Sequence, residues 1–268
     1  MSCFLVVNDD GVESPMLRPM VEQLGRLGDV CLAVPRYEQS WRGKAMTRFG
    51  RVAVEPRPEF GVPAFAVEGT PSDCVNLALH HLFDPRPDFV ISGINIGTNT
   101  GLAFVLNSGT IGAALEGALQ GLPALAFSAY LEPRHFALWM TEKRLPDPRR
   151  EDEAHAGDIA QTCAERMADM TAAVLKQGLP PEALVLNVNF PGAVTPQTPV
   201  RWVPLQDNRY GSLFKPDGNG GFVHGHGSGF RVIEGPVSDR EVVMKGEISA
   251  TALGLMSMSL EPPASLPF

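Results

Sequence analysis

A buried strand that ends in two adjacent carboxylates is the feature that most constrains how this chain folds. Residues 4–7 read Phe-Leu-Val-Val, and Asn8, Asp9, Asp10 and Gly11 follow at once. An apolar run without polar alternation is typical of a parallel strand that is covered on both faces. In open α/β sheets, ligands bind outside the carboxyl ends of such strands. We therefore expect Asp9 and Asp10 to lie at a ligand site.

Asp9 and Asp10 carry like charges, and each raises the pKa of the other unless a cation lies between them. A divalent metal ion is the economical explanation of such a pair. The alternative is a simple Asp-Gly turn, because Asn, Asp and Gly are preferred in tight turns. Residues 4–11 leave both interpretations open.

Composition narrows the class of protein. The 268 residues are 44% hydrophobic, which favours one large domain with an appendage. No apolar run approaches the roughly 20 residues of a membrane span, and residues 1–3 lack the basic start of a secretory signal, so we expect a cytoplasmic protein that does not contact membranes. The four cysteines are widely scattered, which argues against a zinc ribbon or a disulfide framework. A formal charge of −8 disfavours binding to nucleic acid.

The order of the segments predicts an α/β fold. Apolar strands at 30–35, 88–92, 122–128 and 184–189 are separated by segments with helical spacing, one of which starts after Thr70 as N-cap. A strand–helix–strand unit of this length implies a right-handed parallel crossover. Residues 131–157 are dense in Arg, Glu, Asp and Pro and are predicted to be an exposed excursion.

Later segments supply polar groups to the same edge of the predicted sheet. The loop after strand 30–35 brings the Ser40 hydroxyl within reach of the aspartate pair; a loop hydroxyl that contacts only solvent is the alternative. The strand at 88–92 runs into a glycine-rich segment in which Asn95 and Asn99 offer neutral oxygens.

Ser108, Gly109 and Thr110 open a helix of small residues, whose N-terminus attracts anions through free N–H groups and the helix dipole. Simple N-capping is the alternative interpretation of these hydroxyls.

Five blocks in this order resemble the SurE family, the survival-protein phosphatases that act as nucleotidases. The blocks are Asn8-Asp9-Asp10-Gly11, Gln39-Ser40, residues 69–75, residues 92–99 and residues 108–117. They cover about the first half of the chain. Residues 186–191 and 238–251 are similar to the family's remaining blocks, less specifically.

The resemblance implies a phosphomonoesterase that hydrolyses nucleoside monophosphates. It implies a Rossmann-like core, which we place at residues 1–204, with a mostly parallel sheet and helices on both faces. An extended hairpin used in oligomerisation is placed in residues 205–268. In the family, residues that match Asp9, Asp10, Ser40 and Asn95 hold one divalent metal ion.

Carboxylate, hydroxyl and amide oxygens favour a hard ion such as Mg²⁺ or Mn²⁺. We predict Asp9 and Asp10 as the catalytic pair, either of which orients the attacking water. The predicted phosphate-binding residues are Asn99, Ser108, Gly109 and Thr110.

Two other functions are compatible with the sequence: a non-catalytic nucleotide-binding protein, and a phosphatase on a non-nucleotide phosphomonoester. A haloacid-dehalogenase-type phosphatase would need its second acid two residues after the first, whereas Asp9 and Asp10 are adjacent.

The chain departs from the family after Ser40, where bulky and basic residues replace a small, glycine-containing sequence. We predict that Arg42 and Lys44 strengthen binding of the substrate's phosphate, with orientation into solvent as the alternative. Residues 207–231 combine aromatic side chains with frequent glycine and are too irregular for a second core. We therefore expect a homodimer or homotetramer assembled through this region.

Overall fold

The computed structural model describes residues 2–147, 149–150, 158–225 and 230–254. Within these ranges the strands are β1 Cys3–Val7, β2 Asp29–Pro35, β3 Val54–Pro56, β4 Ala64–Val67, β5 Phe89–Ile96, β6 Ala124–Ala129, β7 Val185–Phe190, β8 Val200–Trp202, β9 Asn208–Arg209, β10 Phe214–Pro216, β11 Phe222–His224, β12 Arg231–Val232 and β13 Ile248–Leu253. The helices are α1 Leu17–Leu24, α2 Pro71–Leu77, α3 Leu102–Asn107, α4 Gly109–Leu119, α5 Pro133–Glu142, α6 Ile159–Gln177 and α7 Asp239–Met244.

Nine strands form one sheet in the order β3-β4-β2-β1-β5-β6-β7-β13-β8. Neighbours from β4 to β7 are parallel, whereas β3 and β13 run antiparallel to β4 and β7. The predicted α/β fold with a mostly parallel sheet is confirmed. From β1 the chain builds the sheet in one direction through β2 and β4, and then continues on the other side of β1 with β5. The carboxyl ends of β1 and β5 therefore face a topological switch point, where such sheets bind ligands.

Alternate residues of β1 pack on opposite faces of the sheet. Phe4 and Val6 join a core with α1 and α6, and Leu5 and Val7 join a core with α2 and α4. All four side chains are fully buried. The continuous apolar run therefore reflects a strand covered on both sides, and it fixes β1 at the centre of the molecule.

Small residues let α4 approach its neighbours closely. A Cβ on Gly112 would lie 2.3 Å from the Gly43 carbonyl oxygen, and one on Gly117 would lie 2.5 Å from a methyl group of Val90. Alanine in place of Gly117 would force the helix away from the sheet, and alanine in place of Gly112 would force it away from the loop that contains Gly43. The Gly- and Ala-rich sequence of α4 thus determines where its N-terminus lies.

Two expectations about the later chain need correction. Residues 133–142 are not an exposed excursion, since they form α5 and bury Trp139 in the core. The apolar face of this helix is enough to dock it, despite the charged residues around it. Residue 148 and residues 151–157 lie outside the described ranges.

The boundary at residue 204 also fails for β13, which lies between β7 and β8 in the main sheet. Residues 248–251 of β13 are buried, so this part of the chain belongs to the core and not to an appended segment. Between these points, β10 and β11 form the predicted hairpin, and β9 pairs with β12 beside it.

No helix in the described part of the chain is both long enough and apolar enough to cross a membrane.

Candidate active site

Asp9 is buried at the end of β1 and is held from two sides. Its Oδ1 accepts a hydrogen bond of 2.7 Å from the Thr110 hydroxyl at the start of α4. Its backbone carbonyl accepts one of 2.7 Å from the Gln39 N–H. A Cβ on Gly109 would lie 2.9 Å from Asp9 Oδ2, so a glycine is required for this approach. One aspartate thus joins β1, the loop after β2 and α4.

Asp10 faces the end of β5. Its Oδ2 accepts a hydrogen bond of 2.9 Å from the backbone N–H of Ile96. The pairing of β5 with β6 shifts register between Ser92 and Asn95, and this irregularity lies next to the site. The Asn95 amide donates to the Gly97 carbonyl at 3.1 Å, which leaves the side-chain oxygen of Asn95 as its acceptor group.

Burial raises the pKa of both aspartates. Removal from water raises the pKa of Asp9 to about 6, although the hydrogen bonds from Thr110 lower it. The pKa of Asp10 lies well above its ordinary value, first because of burial and second because of the charge on Asp9. Among the described residues, neither carboxylate forms an ion pair. The charge of Lys143 lowers the pKa of Asp10 only as a minor effect. Two buried carboxylates that form no ion pair with a described residue match the requirements of a bound cation.

The donor set fits a hard divalent ion. Asn8 braces the turn through a hydrogen bond to the Gly11 carbonyl, and its own Oδ1 is buried with no hydrogen-bond partner in the described structure. No cluster of three or more His, Cys, Asp or Glu side chains able to hold a metal occurs in the described ranges. A metal at the aspartate pair would therefore need neutral oxygens, as Ser40 and Asn95 would supply.

Ser40 is exposed in the loop after β2, and its hydroxyl donates to Glu38 at 2.8 Å. Glu38 also raises the pKa of both aspartates through its charge. The sequence interpretation missed Glu38, because a single acid in a loop carries no pattern. Its position beside Ser40 and next to Gln39 places a third negative group at the edge of the site.

The hydroxyl groups at the start of α4 have different partners. Ser108 is the N-cap, and its hydroxyl oxygen accepts a hydrogen bond of 3.1 Å from the Ile111 N–H. The Thr110 hydroxyl is committed to Asp9. The structure thus gives Thr110 a positioning role, and the Ser108 O–H remains a donor for a ligand. Binding of phosphate by Ser108, Gly109 and Thr110 remains a prediction.

Asn99 is tied into the sheet. Its side-chain amide donates to Ser128 at 2.8 Å, and its backbone N–H donates to Asn189 Oδ1 at 2.8 Å. The Asn187 amide donates to the Asn99 carbonyl at 2.9 Å. Residues of β6 and β7 therefore fix the glycine-rich loop, and this network was not predicted from the sequence. A phosphate-binding role for Asn99 is untested.

The same loop is held by Asp239, which lies 138 positions later in the chain. The Asp239 carboxylate accepts hydrogen bonds from the backbone N–H groups of Gly101 at 2.8 Å and Gln206 at 2.9 Å. Asn208 accepts from the N–H of Ala103 at 2.8 Å. These contacts fasten the base of the hairpin to the start of α3.

Lys44 and Arg42 differ in their surroundings. The Lys44 ammonium lies 2.6 Å from Glu116 Oε2, and the Glu116 side chain is buried. This pairing argues against the prediction that Lys44 binds substrate phosphate, because its ammonium already pairs with a buried carboxylate; the prediction itself stays untested. Arg42 is exposed and lines a cavity of ≈450 Å³ together with Tyr37 and Gln39.

Comparison with known proteins decides the family. Residues 4–212 match the family described as "Survival protein SurE". The chain belongs to the SurE family.

A "5'-nucleotidase SurE" of Methanocella arvoryzae is 39% identical over 210 residues, which cover 78% of this chain and 74% of the relative. The protein of that name from Geobacter metallireducens is 37% identical over 258 residues, which cover 94% of this chain and 90% of the relative. Among solved structures, the SurE protein of Aquifex aeolicus aligns with a TM-score of 0.71 at 27% identity, over 94% of this chain and 93% of that one.

Proposed function

We propose that this SurE-family protein is a metal-dependent 5'-nucleotidase, which hydrolyses nucleoside monophosphates to nucleoside and phosphate. The observation that carries the proposal is the pair of buried aspartates at the switch point, next to the N-terminus of α4. A cation site and an anion site side by side suit a reaction on a phosphate ester. The names of the curated relatives support the nucleotide as substrate.

The metal ligands of the proposal are Asp9, Asp10, Ser40 and Asn95, with one Mg²⁺ or Mn²⁺ per subunit. When bound, such an ion withdraws charge from phosphoryl oxygens and lowers the pKa of water. The protein's part is to hold the phosphate at the start of α4, where the Ser108 hydroxyl can donate and the helix dipole favours an anion. Thr110 keeps Asp9 oriented, and Asp9 or Asp10 aligns the attacking water.

Release of inorganic phosphate from AMP, with and without Mn²⁺ and after treatment with EDTA, tests the proposal. We expect turnover that EDTA abolishes and Mn²⁺ or Mg²⁺ restores. Asp10→Asn should remove activity while the circular dichroism spectrum stays that of the wild type. Binding of AMP without hydrolysis would favour a non-catalytic nucleotide-binding protein. Turnover only of phosphate esters without a base would favour a different phosphatase.

We further propose that two copies of the chain associate through residues 207–231. The hairpin exposes 57% of Phe214 and 70% of Phe222, and an isolated two-stranded hairpin is marginally stable in water. A second copy with the same surface would bury these rings. Light scattering at micromolar concentration should give at least a dimer, and Phe214→Ser with Phe222→Ser should shift it toward the monomer. A wild-type monomer would contradict this assembly.

A further inference from the structure

Trp41 has a backbone conformation that tryptophan rarely adopts. Its φ is +63°, in the left-handed region, where a bulky residue is a genuine outlier. Such strained conformations persist only where the surrounding structure maintains them, and they concentrate at binding and catalytic sites. Trp41 directly follows Ser40, so their Cα atoms are about 3.8 Å apart.

The segment that carries Trp41 is fixed to the candidate site at both ends. On one side, the Gln39 N–H donates to the Asp9 carbonyl at 2.7 Å. On the other, the Gly43 N–H donates to the Asn107 carbonyl at 2.8 Å, and Asn107 immediately precedes Ser108. Trp41 lies midway along this span, at the rim between the aspartate pair and the start of α4.

Three rings from other segments surround the indole. The ring centroids of His224, Phe104 and Tyr210 lie 5.0, 5.9 and 6.1 Å from that of Trp41. The angles between the ring planes are 59°, 67° and 75°, so none of the three stacks flat on the indole. Tyr210 is held in place by a hydrogen bond of 2.8 Å from Asn107 to its hydroxyl. We call these four residues the aromatic rim.

The aromatic rim is only partly buried. Trp41 and Phe104 are half-buried, and Tyr210 and His224 are exposed. A core cluster would exclude water from its rings, whereas this one leaves apolar ring surface beside the phosphate site. A ligand that reaches both places would combine a phosphate group with a flat aromatic group.

We propose that Trp41 is a specificity-determining residue that stacks against the base of a nucleoside monophosphate whose phosphate binds at α4. This inference rests on the proposed nucleotidase function. Bases of every type present a π-face, and stacking on aromatic side chains tolerates different bases. Recognition by the aromatic rim therefore favours nucleotides over phosphate esters without an aromatic group.

The test compares AMP with ribose 5-phosphate, which keeps the phosphate and the sugar but lacks the base. Glycine adopts a φ of +63° without strain, so Trp41→Gly should fold. We expect this variant to lose about 10-fold or more in kcat/KM for AMP, and less than twofold for ribose 5-phosphate. Trp41→Phe should restore most of the activity on AMP. Trp202→Leu, at the exposed edge strand β8, is the matched control and should behave as the wild type.

Equal losses on both substrates would overturn the inference and assign Trp41 a structural role in holding the hairpin. Unchanged kinetics on AMP would overturn it as well.

If the wild type hydrolyses neither substrate with Mn²⁺, the proposed function fails, and a measurement of tryptophan fluorescence still tests the aromatic rim. Trp41 is one of three tryptophans in the chain, so comparison with Trp41→Phe identifies its share of the fluorescence. Saturable quenching by AMP, but not by ribose 5-phosphate, should occur in the wild type and disappear in Trp41→Phe; quenching that persists would refute the role of Trp41.

Discussion

The buried charge of Asp9 should make the metal-free protein less stable than its Asp9→Asn variant. Asparagine has the same shape and keeps an oxygen that accepts from Thr110, but it carries no charge. The pKa of Asp9 is raised from its ordinary value of 3.8 to about 6 in the folded protein. Each pKa unit corresponds to about 1.4 kcal/mol, so ionisation at high pH lowers the free energy of unfolding by about 3 kcal/mol.

The pH dependence follows from the direction of this shift. Above pH 6 the folded state carries a buried charge that the unfolded chain exposes to water, and the full penalty applies. As the pH falls through 6 the folded carboxyl takes up its proton, and below 3.8 both states are protonated and the penalty is gone. Asp9→Asn should therefore exceed the wild type by about 6–12 °C in Tm at pH 8, and by much less at pH 4.5.

Thermal unfolding in EDTA, followed by circular dichroism at both pH values, measures this difference. Asp73→Asn is the matched control with the opposite sign, since the Asp73 carboxylate accepts hydrogen bonds from the N–H groups of Thr70 and Thr47. Its loss should lower the Tm. Mn²⁺ should raise the Tm of the wild type and leave that of Asp9→Asn unchanged. A wild type as stable as Asp9→Asn in EDTA at pH 8 would refute the reasoning.

Three other substitutions test the supporting contacts. Thr110→Val removes the donor to Asp9 and should reduce metal affinity or kcat by about 10- to 100-fold, whereas Thr110→Ser should not; titration with Mn²⁺ measures this. Gly109→Ala places a Cβ 2.8 Å from the Asp9 Cβ, so kcat should fall together with Tm in parallel assays. Lys44→Met leaves the Glu116 carboxylate buried without its cation and should lower stability by about 1–3 kcal/mol in urea unfolding at pH 7, while Arg42→Met should be neutral. Because the hydrogen bonds of Asn76 and Lys44 lower the pKa of Glu116 against the effect of burial, this difference should shrink as the pH falls below 4.5.

Local patterns predicted the parts of the site that depend on one segment. The run before Asp9 indicated a strand end, and Thr70 caps α2 through a reciprocal hydrogen-bond pair with Asp73, as its sequence position indicates. Family resemblance supplied the ligand set, which remains to be tested.

Contacts between distant segments were not predictable in the same way. Lys44 meets Glu116 across 72 positions, and Asn99 meets Asn189 across 90. A single exposed lysine looks the same in sequence whether it faces solvent or a buried acid. The position of β13 was missed for a related reason, because strand order depends on pairing that a short apolar run does not specify.

The contact of Asp239 with Gly101 has a consequence for how the protein is made. All the proposed metal and phosphate ligands have been synthesised once residue 110 is added, but the loop between Gly97 and Gly101 is fastened by a carboxylate that lies 138 positions after Gly101. The strand that follows it, β13, then inserts between β7 and β8. A nascent chain therefore holds its site residues in an incomplete frame until Asp239 and β13 have been synthesised, and we expect enzymatic competence only after that point.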